Sequence, residues 1–544
     1  MTLQLKLLPS TVKVMPGERE PAPEIAAYTA GSALRGEVFA FQLAYSSGRE
    51  FVEAARFRFE SPLAEFTGVR RAGLIPTTLT AWKFDDHVIR REPGLFPDPL
   101  LPLPEEFQIL PCRWNSLRLT VHVPPELPPG EYKFKCILST AGSSAGSSAE
   151  AEFRLQVCAA ALPPQSIERS EWLHCDALMS HYRLNFWSRE FRRVLKLYFR
   201  NQTAHGCTRL LTPLFTPPLD TAVGCERPTV QLVGVSRRDG RYRFDFTRLD
   251  EWCQMALQCG YDSFEFAHLF TQWGAKCAPK IVVDGRNCFG WESASDSPEY
   301  REFLSALFPP LNAFLAERGL TGKCVFHASD EPQKVDREIY ARNAAFLRKL
   351  CAPAPVTDAL SELDFYRDNV CLLPVCCINE VPAFEAAGCR PLWSYYCCGP
   401  ETETTNRFLH YPGGRTRMLG AQLFRYDCAG FLHWGYNFWL SRLSRHAIDP
   451  WKTPDAEGLF PGGDPFLVYP GADGSPVDSI RHELLREAFQ DHRALTLLAE
   501  RRGRPFAEAL LADWHGGPFS MSSYPAADLA LCRLRDRIHC EVTR

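Results

Sequence analysis

Lys323-Cys-Val-Phe-His-Ala-Ser-Asp-Glu-Pro332 runs a short apolar strand straight into two adjacent carboxylates, Asp330 and Glu331, and then into a proline and a helix-like segment. Parallel α/β barrels carry their chemistry at the carboxyl ends of their strands, where paired carboxylates do acid–base work. The same residues also make an ordinary helix start. Asp is a good cap, Pro favours the first helical position, and acids suit a helix amino end. His327 and Ser329 supply polar groups that a plain cap does not need.

Around this stretch, from about residue 166 to 500, strand-like runs are followed by amphipathic helices. The runs are Trp172 to Ala177, Cys207 to Leu211, Ser263 to His268, Lys323 to Ala328, Cys371 to Val375, Leu392 to Tyr396 and Gly430 to Tyr436. Helices are predicted over 188–205, from Thr247, over 298–318, 335–350, 415–426 and 479–501, with a hairpin near 229–246. Repeated β-then-α units predict a (β/α)8 TIM-like barrel over 166–500. No Gly-rich phosphate loop follows the first run, which argues against an open nucleotide-binding sheet.

Residues 1–162 read differently. Leu3 to Leu8, Glu37 to Tyr45, Phe51 to Phe59, Ser116 to Val123, Glu131 to Leu138 and Glu150 to Val157 alternate with period two, which predicts an antiparallel β-sandwich. Ala141 to Ala149 reads as a small-residue hairpin loop, and Leu162 to Gln165 as a linker. Residues 501–544 read as a helical extension on the outside, with a helix over 526–542. The fold class is multidomain, α/β plus all-β.

The 544 residues are 45% hydrophobic, enough for large cores. A net charge of -3 gives no electrostatic reason to expect nucleic acid or an anionic membrane as a partner, and a neutral carbohydrate fits better. The amino terminus lacks the apolar block of an export signal, so a cytoplasmic location is expected. The 21 cysteines include no C-x-x-C pair and are expected to be mostly buried reduced thiols, with neither metal nor other cofactor. An oligomer is left open.

Aromatic and polar residues gather at the predicted strand ends: Trp393, Tyr395 and Tyr396 on one, His433, Trp434, Tyr436 and Asn437 on another. Packed aromatics are usually core. Grouped with His and Asn they suit a sugar platform, flat faces on ring C–H groups and polar tips on hydroxyls. The same reading takes in His174, Asp176, His268, Gln272, Trp273 and His327 as substrate-binding residues. Asp176 reads equally well as a structural ion-pair partner. The run from Leu211 to Gln231 is long enough to wall a pocket.

His327-Ala-Ser-Asp-Glu-Pro332, Glu265 to Ile281, Trp393 to Trp439 and the Ser479 to Leu498 helix with Arg481, Arg486, Glu487 and Asp491 together resemble glycoside hydrolase family 123. The resemblance implies a retaining exo-β-N-acetylhexosaminidase, N-acetylgalactosaminidase-like, in which the substrate's 2-acetamido group is the nucleophile. It casts Asp330 as acceptor of the acetamido N–H and Glu331 as acid, then base. Conventional glycosidases hold two carboxylates about 5 to 9.5 Å apart across the bond, which neighbours in sequence rarely manage. On this scheme Glu331 should be the raised carboxyl and Asp330 should stay ionised. The chain ends too soon after its last barrel helix for the additional carboxyl-terminal sandwich expected of founding members, and its lack of an export signal suggests imported short glycosides. Two other readings stand beside this one: a glycosidase for another sugar with a conventional nucleophile such as Asp176, and a sugar-binding protein on a degenerate barrel.

Overall fold

The computed structural model describes residues 3–17, 19–140, 147–525 and 527–544, so most of the 141–149 loop lies outside the described residues. Two five-stranded sheets come first. One orders Gln4–Pro9, Val38–Ser46, Asn115–His122, Thr67–Thr77 and Gly94–Pro102; the other orders Ala30–Arg35, Ser148–Ala161, Gly130–Thr140, Val52–Glu60 and Phe107–Ile109. Pairing is antiparallel except where Ala30–Arg35 runs parallel to Ser148–Ala161. Inward positions alternate along each strand and meet in an aromatic core, with Phe41 stacked on Phe153 at 4.1 Å. The four strands unforeseen from sequence are short or rich in Gly, Pro and polar residues, which blurs the period-two signal.

A closed parallel barrel follows, with strands Glu168–Glu171, Arg209–Thr212, Ser263–Phe266, Cys324–His327, Val356–Leu360, Leu373–Cys377, Leu392–Tyr395 and Cys428–His433 in that order around the ring. Two strands correct the sequence reading. The first is Glu-Arg-Ser-Glu, and the expected strand at Trp172 to Ala177 instead leads into a helix over Cys175–Tyr182. This polar strand can be buried because its groups are matched: Arg169 pairs with Glu171 at 2.8 Å, Glu171 with Arg407 at 2.8 Å, and Ser170 donates to Glu265 at 2.7 Å. The fifth strand, Val356–Leu360, had no sequence counterpart because Asp358 interrupts its apolar run.

Three helices open on a serine that caps a backbone N–H, Ser188, Ser297 and Ser479. No helix among the described residues is long and apolar enough to cross a membrane. Apart from Cys112 the cysteines are free thiols, most of them buried.

The Ile480–Arg502 helix joins barrel to sandwich through buried charge. Arg481 grips Asp98 at 2.8 Å, Arg417 grips Asp491 at 2.6 Å and Glu487 at 2.7 Å, and Glu487 also accepts from Arg118 and, at 2.6 Å, from Ser10. The last helix, Asp528–Thr543, wedges between this helix and the sandwich, with Arg535 on Glu37 and Leu531, Leu534 and Ile538 in a shared apolar cluster. Its other face, with Arg533, Asp536, Arg537 and Cys540, is exposed, so it lies on the outside as expected from sequence while bridging the two parts. Gly420 lets the Leu419–Arg425 helix approach closely; a Cβ there would collide with the Ala488 carbonyl. Glu487→Ala should lower unfolding stability by about 3–5 kcal/mol, because Arg118 would stay buried without its carboxylate. An unchanged denaturation midpoint would show that this joint does not hold the two parts together.

Candidate active site

The fourth barrel strand delivers the two carboxyls. Extended backbone would turn neighbouring side chains opposite ways. Glu331 instead adopts a left-handed conformation, φ 44, which breaks the alternation, and both Asp330 and Glu331 line one pocket. The turn is pinned where the Glu331 N–H donates to the Ala359 carbonyl at 3.0 Å and the Trp273 N–H to the Asp330 carbonyl at 3.0 Å.

The pocket opens at the carboxyl ends of the strands, bordered by Trp172, Leu219, Asp220, Gln272, Trp273, Tyr395, Cys397, Cys398, Trp434 and Phe460. Gln272 bridges two walls: its amide donates to Asp330 Oδ2 at 2.6 Å, and its carbonyl accepts the Asp220 N–H at 2.6 Å. Tyr395 donates to Glu331 Oε1 at 2.7 Å. Asp220 and Trp273 share the left-handed backbone of Glu331, with φ 39 and 57. Such residues cost about 1–3 kcal/mol each and persist where the surroundings over-determine them.

Below the carboxyls lies a buried ionic triad. His327 offers one ring nitrogen to Glu265 and the other to Asp358 Oδ1 at 3.2 Å. Glu265 also accepts from Trp172 Nε1 at 2.7 Å, and Asp358 from the Tyr340 hydroxyl at 2.7 Å and the Ser329 N–H at 3.1 Å. Burial alone would lower the His327 pKa, but the two carboxylates outweigh it and hold the ring up at about 10. Asp330 goes the other way from expectation. Burial first, and then the charge of Glu331, push its carboxyl well above the usual range, with His327 partly opposing them. That direction runs against the expectation that Asp330 is the carboxyl kept ionised.

The sequence candidates divide by which way their strand faces. Tyr395 and Trp434 turn inward to the pocket; their neighbours Tyr396 and His433 turn outward, pack together at 5.3 Å, and take no part in it. Trp393 also points inward, but two residues below Tyr395, where it fills the barrel floor with Arg209 stacked 4.3 Å over its ring. Tyr436 donates to Asn201 at 2.7 Å outside the barrel, and Asn437 clamps the His174 backbone at 2.8 and 3.1 Å. Asp176 forms a buried pair with Arg227 at 2.6 Å and does not border the pocket. His174 accepts from the same arginine at 3.0 Å; burial and that charge lower its pKa to about 4. His268 is sealed beneath the pocket, stacked on His327 at 4.4 Å, and burial drives it well below the usual imidazole range. Residues not foreseen are Asp220, Glu265 and Asp358. Asp220 lay in the loop expected to wall the pocket, Glu265 read as part of a strand, and Asp358 fell where no strand was expected.

Two groups of side chains bring metal-ligating atoms within 4.8 Å, His205 with Asp478 and His482, and His268 with His327 and Asp358. Arg70 already occupies Asp478 at 2.7 Å, and both His327 nitrogens are engaged by carboxylates, so neither set is open to a cation. A wider cleft of about 1110 Å³ lies between the sandwich and the last helix. Its polar residues Ser32, Asp536 and His539 bond one another, at 2.5 and 2.8 Å, rather than converge on open space.

The family model for the glycoside hydrolase 123 catalytic domain matches residues 172–498. A family 123 glycoside hydrolase from Clostridium perfringens, whose structure is described as giving the details of glycolipid glycan hydrolysis, matches with TM-score 0.75 at 13% identity, over 100% of this chain and 97% of that one. That coverage leaves little of the relative's chain for the additional sandwich expected from sequence. A β-glucuronidase from Parabacteroides merdae matches with TM-score 0.32 at 8% identity, over 84% of this chain and 50% of that one. None of the curated proteins matches. At 13% identity the Clostridium structure speaks for a shared fold, and the catalytic-domain model supplies the family: the chain belongs to glycoside hydrolase family 123.

Proposed function

We propose that this glycosidase is a retaining exo-β-N-acetylhexosaminidase whose substrate supplies the nucleophile. The observation that carries the reading is the pair itself: two sequence neighbours border one pocket, Asp330 on the Gln272 wall and Glu331 on the Tyr395 wall. Such a pair suits a sugar whose own acetamide attacks, because one carboxyl can serve the amide while the other serves the leaving oxygen.

In this mechanism the acetamido N–H donates to Asp330, and the acetamido oxygen attacks the anomeric carbon. Glu331 protonates the departing glycosidic oxygen, giving an oxazolinium ion whose charge Asp330 offsets. Glu331 then takes a proton from water as the water reopens the ring. Burial and the charge of Glu331 favour a proton on Asp330 before substrate binds. An N–H bond to Asp330 favours its charged form, so substrate binding would move that proton to Glu331, where the acid is needed. Trp172, Trp434 and Phe460 give the ring apolar faces to rest on.

The rim suits an apolar aglycone. Trp273, which borders the pocket, is 40% exposed. A glycolipid glycan, the class named for the Clostridium relative, matches that surface.

Aryl 2-acetamido-β-glycosides should be hydrolysed with retention and inhibited by a thiazoline mimic of the oxazoline, while 2-hydroxy analogues should not turn over. Equal turnover of the 2-hydroxy analogues would point to a conventional nucleophile, for which Asp220 is the other carboxyl in the pocket. Glu331→Gln should abolish turnover with little change in thermal midpoint. Asp330→Asn should also remove turnover, yet raise the thermal midpoint at pH 8. The raised Asp330 carboxyl costs stability as pH climbs above its ordinary range, and a neutral amide is spared that cost. A lower midpoint at pH 8 for this variant would contradict the charge assignment.

A further inference from the structure

Both nitrogens of His327 face carboxylate oxygens, Glu265 on one side and Asp358 on the other. Carboxylates accept and do not donate, so a ring flanked in this way carries both N–H protons. The alternative, a neutral ring beside a protonated acid, is blocked by the other donors. Glu265 takes Trp172 Nε1 on the oxygen that faces His327 and the Ser170 hydroxyl on the other; Asp358 takes the Ser329 N–H and the Tyr340 hydroxyl. The third strand supplies Glu265 and, at its end, His268, which stacks on His327 and has no hydrogen-bond partner on either nitrogen. The fifth strand supplies Asp358, the first strand's end the edge of Trp172 at 5.6 Å, and the turn after the fourth strand supplies Asp330. Arg209 acts on Glu265 from the barrel floor. His327 is thus the cation buried among three acids, Glu265, Asp358 and Asp330.

We infer that His327 is a positioning residue for the reaction: a fixed imidazolium three residues before Asp330 that limits the Asp330–Glu331 pair to a single proton. The inference rests on the substrate-assisted reading, which needs one carboxyl charged and one neutral. Glu265 and Asp358 keep the ring charged through the whole working range, and the ring's charge opposes the burial and the Glu331 charge that would lock a proton on Asp330. Without it nothing would offset the burial and the neighbouring charge that favour a proton on Asp330, and the amide would lose its acceptor at a higher pH. The stacked face of His268 shields the cation from water without competing for its protons.

The test is the pH profile of kcat/KM, taken on whichever aryl glycoside the enzyme hydrolyses. His327→Gln keeps one hydrogen bond and loses the charge. Its acidic limb should move to higher pH by about one to two units, so that below the wild-type limb activity falls about tenfold or more beyond any drop at the plateau. A uniform drop with the limb unmoved would mean a merely structural role and overturn the inference. Because the variant can fail to fold, the wild type is read as well. Its histidine 15N spectrum should contain one ring doubly protonated at pH 8, and that ring should titrate near neutral pH in Glu265→Gln. A spectrum with no such ring would overturn the inference whatever the substrate. Absence of turnover on all 2-acetamido glycosides beside a doubly protonated ring would instead sink the functional reading and leave the charge of His327 standing.

Discussion

Everything at the mouth of this barrel depends on charge matched inside a space that excludes water. A buried carboxylate is tolerated only with a partner, and the partners come from different strands: Arg169 and Arg407 for Glu171, His327 for Glu265 and Asp358. Asp330 is less well matched. It has only a glutamine amide at 2.6 Å, and its raised proton affinity follows from that shortage. The structure therefore matches charge more fully at the floor of the site, around His327, than at the reactive pair.

Three strained residues also border the pocket: Glu331, Trp273 and Asp220 sit in the left-handed region. Each is tied to a neighbour by a hydrogen bond: Glu331 to Ala359, Trp273 to Asp330, and Asp220 to Gln272 and, through its side chain, to the Leu443 N–H at 2.7 Å. The energy that holds these turns comes from well away from them, in the apolar layer between strands and helices and in the arginine–carboxylate joint that fixes the sandwich against the Ile480–Arg502 helix. Arg481, Glu487 and Asp491, whose motif pointed to the family, serve that joint. The last helix belongs to it too, since its apolar face meets Leu34 of the sandwich and Leu495 and Leu498 of the long helix in one cluster.

Local pattern alone determined a good deal here. Period-two runs announced a sandwich, repeated β-then-α units announced the barrel, and an apolar strand ending in Asp330 and Glu331 marked where its chemistry would sit. These are short-range signals, written in the alternation of side chains and in the residues that start and stop helices. What the local pattern could not express was pairing over long distances in sequence. The strand Glu168–Glu171 looks like a polar loop until Arg407 and Glu265 arrive to neutralise it, and Val356–Leu360 looks too polar until His327 claims Asp358. Among adjacent candidates, strand phase chose Tyr395 over Tyr396 and Trp434 over His433. The raised proton affinity of Asp330 was likewise a tertiary outcome, because burial and the charges around it, not residue type, set its direction.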